Sequence, residues 1–165
     1  NPLTRIFIST KFPMSLHQEH DWVKTVNSSK KVVVMIVLKN TNGEDKPIGI
    51  LGTHDINQID QTAETGAHIC IEERGKGYGT EAKMILLDYL FNTLNLRKII
   101  SRVYAFNTAS QKYSEKCGYT KEGVLKEHIF HNGSFVDLVY LAIFKDTFGP
   151  KWEEFKKQNE EFYMD

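Results

Sequence analysis

The stretch Arg74-Gly75-Lys76-Gly77-Tyr78-Gly79-Thr80 lies between a predicted strand and a predicted helix. A loop that ends a strand and opens a helix points several backbone N–H groups in one direction, and the helix dipole adds partial positive charge there. Glycines let the backbone approach an anion closely, while two cationic side chains and the Thr80 hydroxyl add to the attraction. The sequence therefore predicts an anion-binding loop at the start of this helix.

The residues around the loop argue against two common phosphate-binding motifs. A P-loop needs four residues between its first glycine and a Gly-Lys-Ser/Thr, and the segment has nothing of the kind. Gly77-x-Gly79-x-x-Ala82 fits a dinucleotide-binding pattern, but Leu96-Arg97-Lys98 stands about 20 residues on, where an acidic residue should hold the ribose. A plain turn would need one or two glycines. A nicotinamide cofactor and a purely structural turn stay open as lesser alternatives.

Outward from the loop, the hydrophobic pattern predicts a mixed α/β (α+β) sheet. Three strands before the loop form an antiparallel meander, and the strand, helix and strand around the loop form a right-handed crossover with one parallel pair. In the helix after Gly79 we expect an apolar stripe, with Lys83 and Asp88 off it. Ser15 and Gln18 predict a capping box at the first helix, with Trp22 and Val26 on one face. The expected strands span 31–39, 47–55, 61–71, 98–105, 120–130 and 135–144. The apolar stripe expected on the helix after Gly79 consists of Ala82, Ile85, Leu86, Tyr89 and Leu90. Two later helices are expected over 107–117 and 151–162.

Composition narrows the class of protein. The 165 residues carry 21 cationic and 21 acidic side chains, so nothing indicates a nucleic-acid partner, and no stretch is apolar enough for a membrane span. Cys70 and Cys117 lack the spacing of a metal site or a disulfide framework. We expect one domain over 1–165, a cytoplasmic location, no metal and a small-molecule partner, with a homodimer left open.

At this point the residues resemble a known family. The loop is similar to the Gln/Arg-x-x-Gly-x-Gly/Ala motif of the GNAT superfamily of N-acetyltransferases, and the segment from Asn107 to Tyr119 (NTASQKYSEKCGY), followed by Glu122-Gly123, resembles a second segment of that family. Leu94-Asn95-Leu96-Arg97-Lys98 and Asn132-Gly133 are similar to the branch that holds ribosomal-protein N-terminal and spermidine N-acetyltransferases. The resemblance runs from about Val32 to Phe148. It implies that the strand ending at Ile71 and the strand starting at Lys98 splay apart, with acetyl-CoA between them. Members of the family normally begin with a strand and a helix, and we expect these two elements to be missing from this sequence.

The resemblance also implies a cofactor-binding set. Backbone groups of Ile69, Cys70 and Ile71 would hydrogen-bond the pantetheine arm, and Asn107 would bond the same arm or a water, although Asn107 could serve only as a helix cap. The residues of the loop would hold the pyrophosphate, and the full expected set is Ile69, Cys70, Ile71, Arg74, Gly75, Lys76, Gly77, Tyr78, Gly79, Thr80, Asn107 and Lys112.

Two residues are the expected catalytic groups. Tyr113 stands where the resemblance implies a general acid near the sulfur, and its alternative is a packing role. Glu64 is the expected base because it shares one strand face with Gly66, His68 and Cys70; a solvated or ion-paired carboxylate is the alternative, and His68 is a second candidate base. The family transfers the acetyl group directly to the amine, so Cys70 is not expected to act as a nucleophile.

The amine acceptor is the least readable part of the sequence. We expect a protein or peptide α-amine, with a polyamine, an amino sugar or an antibiotic amine as alternatives. A polyamine site should show clustered carboxylates, and Glu44-Asp45 with Glu19 and Asp21 suggest one only faintly. An acyl-CoA-binding sensor without turnover is the alternative of another class.

Overall fold

The computed structural model describes residues 15–25, 30–39 and 44–159. A short 3₁₀ turn, Ile71–Glu73, follows the third strand, and a π-helical turn, Tyr89–Thr93, prolongs the second helix. The elements in chain order are α1 (Leu16–Thr25), β1 (Val33–Leu38), β2 (Lys46–Asn57), β3 (Thr62–Ile69), α2 (Tyr78–Asp88), β4 (Lys98–Tyr104), α3 (Thr108–Lys116), β5 (Thr120–His131), β6 (Ser134–Phe144) and α4 (Lys145–Gln158).

The six described strands form one sheet in the order β1-β2-β3-β4-β6-β5. Every neighbouring pair is antiparallel except β3 and β4, which run parallel. The expected mixed, mostly antiparallel sheet with one parallel pair is therefore confirmed. The predicted hairpin turn at 40–43 lies outside the described residues.

The parallel pair is short, and this shapes the middle of the sheet. β3 and β4 are paired only from Thr62 opposite Lys98 to Glu64 opposite Ile100. Beyond these positions β3 stays paired with β2 as far as Ile69, while β4 stays paired with β6 as far as Tyr104. A gap therefore opens between the two strands after Glu64. We call this gap the fork.

The buried face of α2 differs from the expected stripe. Ile85 and Tyr89, both expected to be buried, are 47% and 39% exposed, while Met84 and Leu87 are in the core. Lys83, expected to face away from the core, is only 1% exposed. Leu86 and Leu90 of the expected stripe are in the core, and Ala82 packs against it. The segment from Met84 to Phe91 offers several possible apolar faces, and the π-turn shifts the register at its end, so periodicity predicted the buried face only in part.

The last helix begins earlier than Gly149-Pro150 predicts. α4 starts at Lys145, so Pro150 lies inside it. Phe148, which is 1% exposed, anchors this first part of the helix and packs on Phe91 with 5.1 Å between ring centroids. Core burial of Phe148 therefore outweighs the helix-breaking tendency of the proline. Residues 160–162 of the predicted helix lie outside the described part of the chain.

The first helix confirms the predicted capping box. The Ser15 N–H donates to Gln18 Oε1 at 2.8 Å, and the Gln18 N–H donates to Ser15 Oγ at 3.3 Å. Trp22 is 41% exposed on this helix, and Val26, its expected companion, lies outside the described residues. The predicted cap of α3 is confirmed as well, since Asn107 Oδ1 accepts from the Ser110 N–H at 3.1 Å.

Candidate active site

The glycine loop forms an open cradle at the start of α2. Gly75 and Gly77 have φ angles of +78° and +94°, in the left-handed region that favours glycine, and a Cβ added at either would meet no atom within 4 Å. Gly77 caps α2 without any side-chain hydrogen bond. The first intrahelical bonds run from the Thr80 and Glu81 N–H groups to the Gly77 carbonyl. The N–H groups just before them are first-turn donors free to meet an anion.

Both cations of the loop already have partners. Arg74 Nε donates to the Ile69 carbonyl at 2.9 Å, which fastens the loop to the end of β3. Lys76 Nζ lies 2.8 Å from Glu73, which also binds Lys46 at 2.7 Å. These hydrogen bonds hold the pKa of the buried Glu73 carboxyl below its usual range. Glu73 is a site residue that the sequence analysis missed, because its Lys46 partner is 27 residues away.

The backbone of β3 corrects one expected contact. The Cys70 N–H donates to the Ile48 carbonyl at 2.8 Å and the Cys70 carbonyl accepts from Glu73, so Cys70 is committed to neighbouring segments and not to a pantetheine arm. In an antiparallel pair successive residues alternate between facing the partner strand and facing away. Ile69 and Ala67 therefore turn their N–H groups toward the fork. Ala67 is the position that the sequence analysis missed.

Strand, loop and α3 converge where the resemblance expects the thioester. A Cβ added at Gly79 would lie 3.5 Å from Ile69 and 3.6 Å from the Tyr113 ring. The Tyr113 hydroxyl is buried and has no hydrogen-bond partner in the described structure. Burial raises the Tyr113 pKa well above 10, so its proton stays available as a donor throughout the neutral range.

The remaining expected residues lie around this point. Ile71 opens the 3₁₀ turn that leads into the loop. Thr80 and Lys116 are among the residues that line a cleft of about 180 Å³ between α2, α3 and α4. Lys112 is exposed on α3, one residue before Tyr113.

On the opposite face of the sheet, Glu64 lines a cleft of about 270 Å³ together with Asp55 and Tyr140. Glu64 Oε2 pairs with Arg102 at 2.5 Å, and this hydrogen bond raises the arginine pKa. Glu64 is thus the ion-paired carboxylate that the sequence analysis kept as an alternative, and an amine could use its other oxygen. The His68 pKa is lowered from 6.5 by burial and by the nearby Arg74 charge, so its imidazole is neutral at pH 7.

A buried polar cluster lies on the helix side of the fork. Lys83 donates a hydrogen bond to Thr65 Oγ1, and the Tyr119 hydroxyl lies 3.0 Å from the same Thr65 oxygen. Thr65 and Tyr119 are 3% and 2% exposed. No local signal in the sequence links these three residues, because 18 positions separate Lys83 from Thr65 and 54 separate Thr65 from Tyr119.

The donor set of this region suits organic anions better than metals. In the described part of the chain, no group of three or more His, Cys, Asp and Glu residues could hold a metal ion. Within the same residues, no helix is both long and apolar enough to cross a membrane. The open glycine cradle and the strand donors facing the fork fit a ligand with a pyrophosphate and an amide-containing arm.

Comparison with known proteins agrees with this geometry. The chain is 33% identical over 122 residues to the spermidine N(1)-acetyltransferase of Vibrio cholerae, covering 74% of this chain and 67% of that protein. It is 32% identical over 97 residues to the putative ribosomal N-acetyltransferase YdaF of Bacillus subtilis, covering 59% of this chain and only 53% of that relative's length.

A solved structure agrees as well. The crystal structure of spermidine N-acetyltransferase from Vibrio cholerae in complex with CoA and spermine superposes with a TM-score of 0.72 at 28% identity, covering 82% of this chain and 79% of that one. The model of the acetyltransferase (GNAT) domain family matches residues 2–120. The chain therefore belongs to the GNAT family of N-acetyltransferases.

Proposed function

We propose that this N-acetyltransferase moves the acetyl group of acetyl-CoA directly to the primary amine at the N-terminus of a peptide or protein. The observation that carries the proposal is the glycine cradle at the start of α2, where the N-cap Gly77 makes no side-chain hydrogen bond to the helix and the loop follows the β3 strand that borders the fork. The cradle supplies donors for a pyrophosphate, and the fork supplies a channel for an extended arm.

The residues divide the binding work. The N–H groups of Tyr78 and Gly79 would receive the pyrophosphate, helped by the N-terminal dipole of α2. The N–H groups of Ile69 and Ala67 would bond the pantetheine arm as a short extra strand. Arg74 contributes indirectly, because its bond to the Ile69 carbonyl keeps the cradle and the strand end together.

The chemistry needs a neutral amine, a polarised carbonyl and a stabilised leaving group. The thioester supplies an activated acetyl group, whose carbon the amine attacks while the C–S bond breaks toward sulfur. Tyr113 would donate a proton to the departing sulfur, since its hydroxyl stays protonated and uses no other partner in the described structure. Glu64 or the neutral His68 would take the proton of the amine.

The charge of the cleft beside Glu64 supports an acceptor with one amine. Its described lining carries the carboxylates Asp55 and Glu64 against the guanidinium of Arg102, so little negative charge is left for a polyamine. A spermidine-like acceptor is the second candidate, favoured by the likeness to spermidine N-acetyltransferases.

A panel of amines tests the proposal. Purified protein is mixed with acetyl-CoA and either peptides with free or blocked N-termini, or spermidine and spermine; CoA thiol release is followed and products are identified by mass spectrometry. We expect acetylation of the free peptide N-terminus. Acetylated polyamine alone would establish the second candidate, and tight acetyl-CoA binding without thiol release for any amine would support a sensor.

A further inference from the structure

The core of this protein contains a lysine without an acidic partner. The Lys83 side chain is 1% exposed, and its ammonium nitrogen lies 5.1 Å and 5.9 Å from the ring centroids of Tyr119 and Tyr113. Thr65 Oγ1 accepts one of its hydrogen bonds. None of the ion pairs in the described structure includes Lys83. Two aromatic faces and one hydroxyl compensate the charge only in part.

Lys83 lies at the base of the fork. The last parallel rung joins Glu64 to Ile100, and Thr65 is the next residue of β3. Thr65 Oγ1 also lies 3.4 Å from the Ile100 carbonyl, so the hydroxyl that holds the lysine bridges both strands where they part. The buried ammonium is therefore placed beneath the point where the gap between β3 and β4 begins.

The titratable groups around Lys83 do not neutralise it. The Glu64 carboxylate is already bound by Arg102 on the opposite face of the sheet. Burial raises the pKa of the Cys117 thiol to about 11 and also raises the pKa of the Tyr113 and Tyr119 hydroxyls above its usual range, so all three groups are uncharged at pH 7. Burial also lowers the pKa of Lys83 itself to about 8, which leaves it largely charged at that pH.

An unpaired charge in a core is unfavourable, and strongly perturbed groups concentrate at functional sites. Resting on the function proposed above, we propose that Lys83 is an electrostatic residue, whose positive charge stabilises the thiolate of coenzyme A as it departs in the fork beside Tyr113. Lys83 does this through its electric field, with Thr65 holding it in place, and it keeps its own proton.

The charge changes of the transfer match this role. As the amine nitrogen bonds to the carbonyl carbon, the C–S bond breaks and its electron pair moves to sulfur, while a base takes the proton of the amine. The proton of Tyr113 reaches the sulfur only after this charge has formed. Negative charge grows on the sulfur, and an opposite charge in a low-dielectric setting favours it. The same field should favour ionisation of the thiol in the simple complex with CoA, which can be measured without turnover.

The experiment measures the pKa of the CoA thiol bound to the protein. The ultraviolet absorbance of the thiolate is followed against pH in the wild type, Lys83→Met and Tyr119→Phe, with desulfo-CoA as the blank for protein cysteines and tyrosines. Tyr119→Phe is the matched control, because it removes the Thr65 bond to Tyr119 and leaves the cation. We expect the bound thiol to ionise about one pH unit below free CoA, which is tenfold more thiolate, in the wild type and Tyr119→Phe. In Lys83→Met the downward shift should disappear.

Each outcome decides the proposal. An unshifted thiol in the wild type overturns it, whether or not Lys83→Met folds. Equal shifts of the thiol pKa in the wild type and in Lys83→Met overturn it as well. Loss of the shift in Tyr119→Phe also overturns it, because the hydrogen bonds and not the charge of Lys83 would then be responsible. Calorimetric titration of CoA into the wild type separates the two hypotheses: CoA binding with an unshifted thiol leaves the proposed function standing, whereas failure to bind CoA removes both.

Discussion

Lys83 makes the stability of the protein depend on pH in a way that one substitution should abolish. Burial lowers its pKa from 10.5 to about 8 in the folded chain. Between these values the unfolded chain binds more protons than the folded one, so the Lys83 contribution to the free energy of unfolding rises with pH. For this single group the linkage relation gives a gain of about 1.3 kcal/mol from about pH 7 to about pH 9.

The assay compares urea unfolding of the ligand-free wild type with that of Lys83→Met at several pH values in this range. The difference in the free energy of unfolding between the two chains isolates the contribution of Lys83 from those of Cys117, Tyr113 and Tyr119. The raised pKa values of these three groups lower the stability of both chains at higher pH. At pH 7 the methionine variant should be at least as stable as the wild type, because methionine has a side chain of similar length and removes the buried charge. Its advantage should shrink by about 1 kcal/mol at pH 9.

Lys157→Met is the control, since Lys157 is exposed near the end of α4. Its difference from the wild type should stay constant over the same range. A pH-independent difference for Lys83→Met would refute the reasoning, because it would mean that Lys83 titrates alike in the folded and unfolded chains. A large loss of stability in Lys83→Met at pH 7 would show that the bond to Thr65 outweighs the cost of burying the charge.

Three further predictions concern the site. Gly77→Ala should weaken CoA binding about tenfold in a calorimetric titration, because the φ angle of +94° at this position strains an alanine and distorts the cradle. Gly133→Ala is the control: its φ angle is +85° in the last hairpin, so it should lose similar stability but leave the CoA affinity unchanged. Tyr113→Phe should lower kcat about tenfold or more with little change in Tm, since its hydroxyl has no partner to lose in the described structure; an unchanged kcat would leave it a packing residue. Burial lowers the His68 pKa below its usual 6.5. If His68 is the base, kcat/KM should therefore fall on acidification only at a pH below that usual value, and His68→Gln should remove the fall; if His68→Gln leaves the profile unchanged and Glu64→Gln abolishes activity, Glu64 is the base.

Parts of this site were readable from the sequence because their signals are local. The alternating glycines of the loop, the cap at Asn107 and the strand before Ile71 each depend on neighbours within a few positions. The structure places them as expected, with Gly77 as the cap of α2 and Asn107 as the cap of α3. Local chemistry was therefore sufficient to predict the fold class and the glycine loop that opens α2, whereas the binding of an anion there stays a prediction.

Other parts depend on contacts that no local pattern reveals. A lysine within an amphipathic helix is expected to face water. Lys83 departs from this because Thr65 of β3 and Tyr119, which lies just before β5, meet it in the core. Lys46, one of the two partners of Glu73, and Arg102, the partner of Glu64, are also far away along the chain, and no local pattern reveals that they pair with these carboxylates. The Gly149-Pro150 signal also misplaced the start of α4, where the burial of Phe148 outweighs the helix-breaking tendency of Pro150.

The short parallel pair has a mechanical consequence. The sheet consists of two antiparallel units, β1-β2-β3 and β4-β6-β5, joined by three rungs between Thr62–Glu64 and Lys98–Ile100. Each unit is extensively paired within itself, so the seam between them has the fewest backbone hydrogen bonds per unit length. A molecule that forms hydrogen bonds with both strands along the seam adds to a small number of bonds between the two units. It therefore contributes a large fraction of the interactions that hold the two units together. A ligand arm bound in this sheet would therefore hold the two antiparallel units together, and its release would weaken the contact between them while leaving the pairing within each unit unchanged.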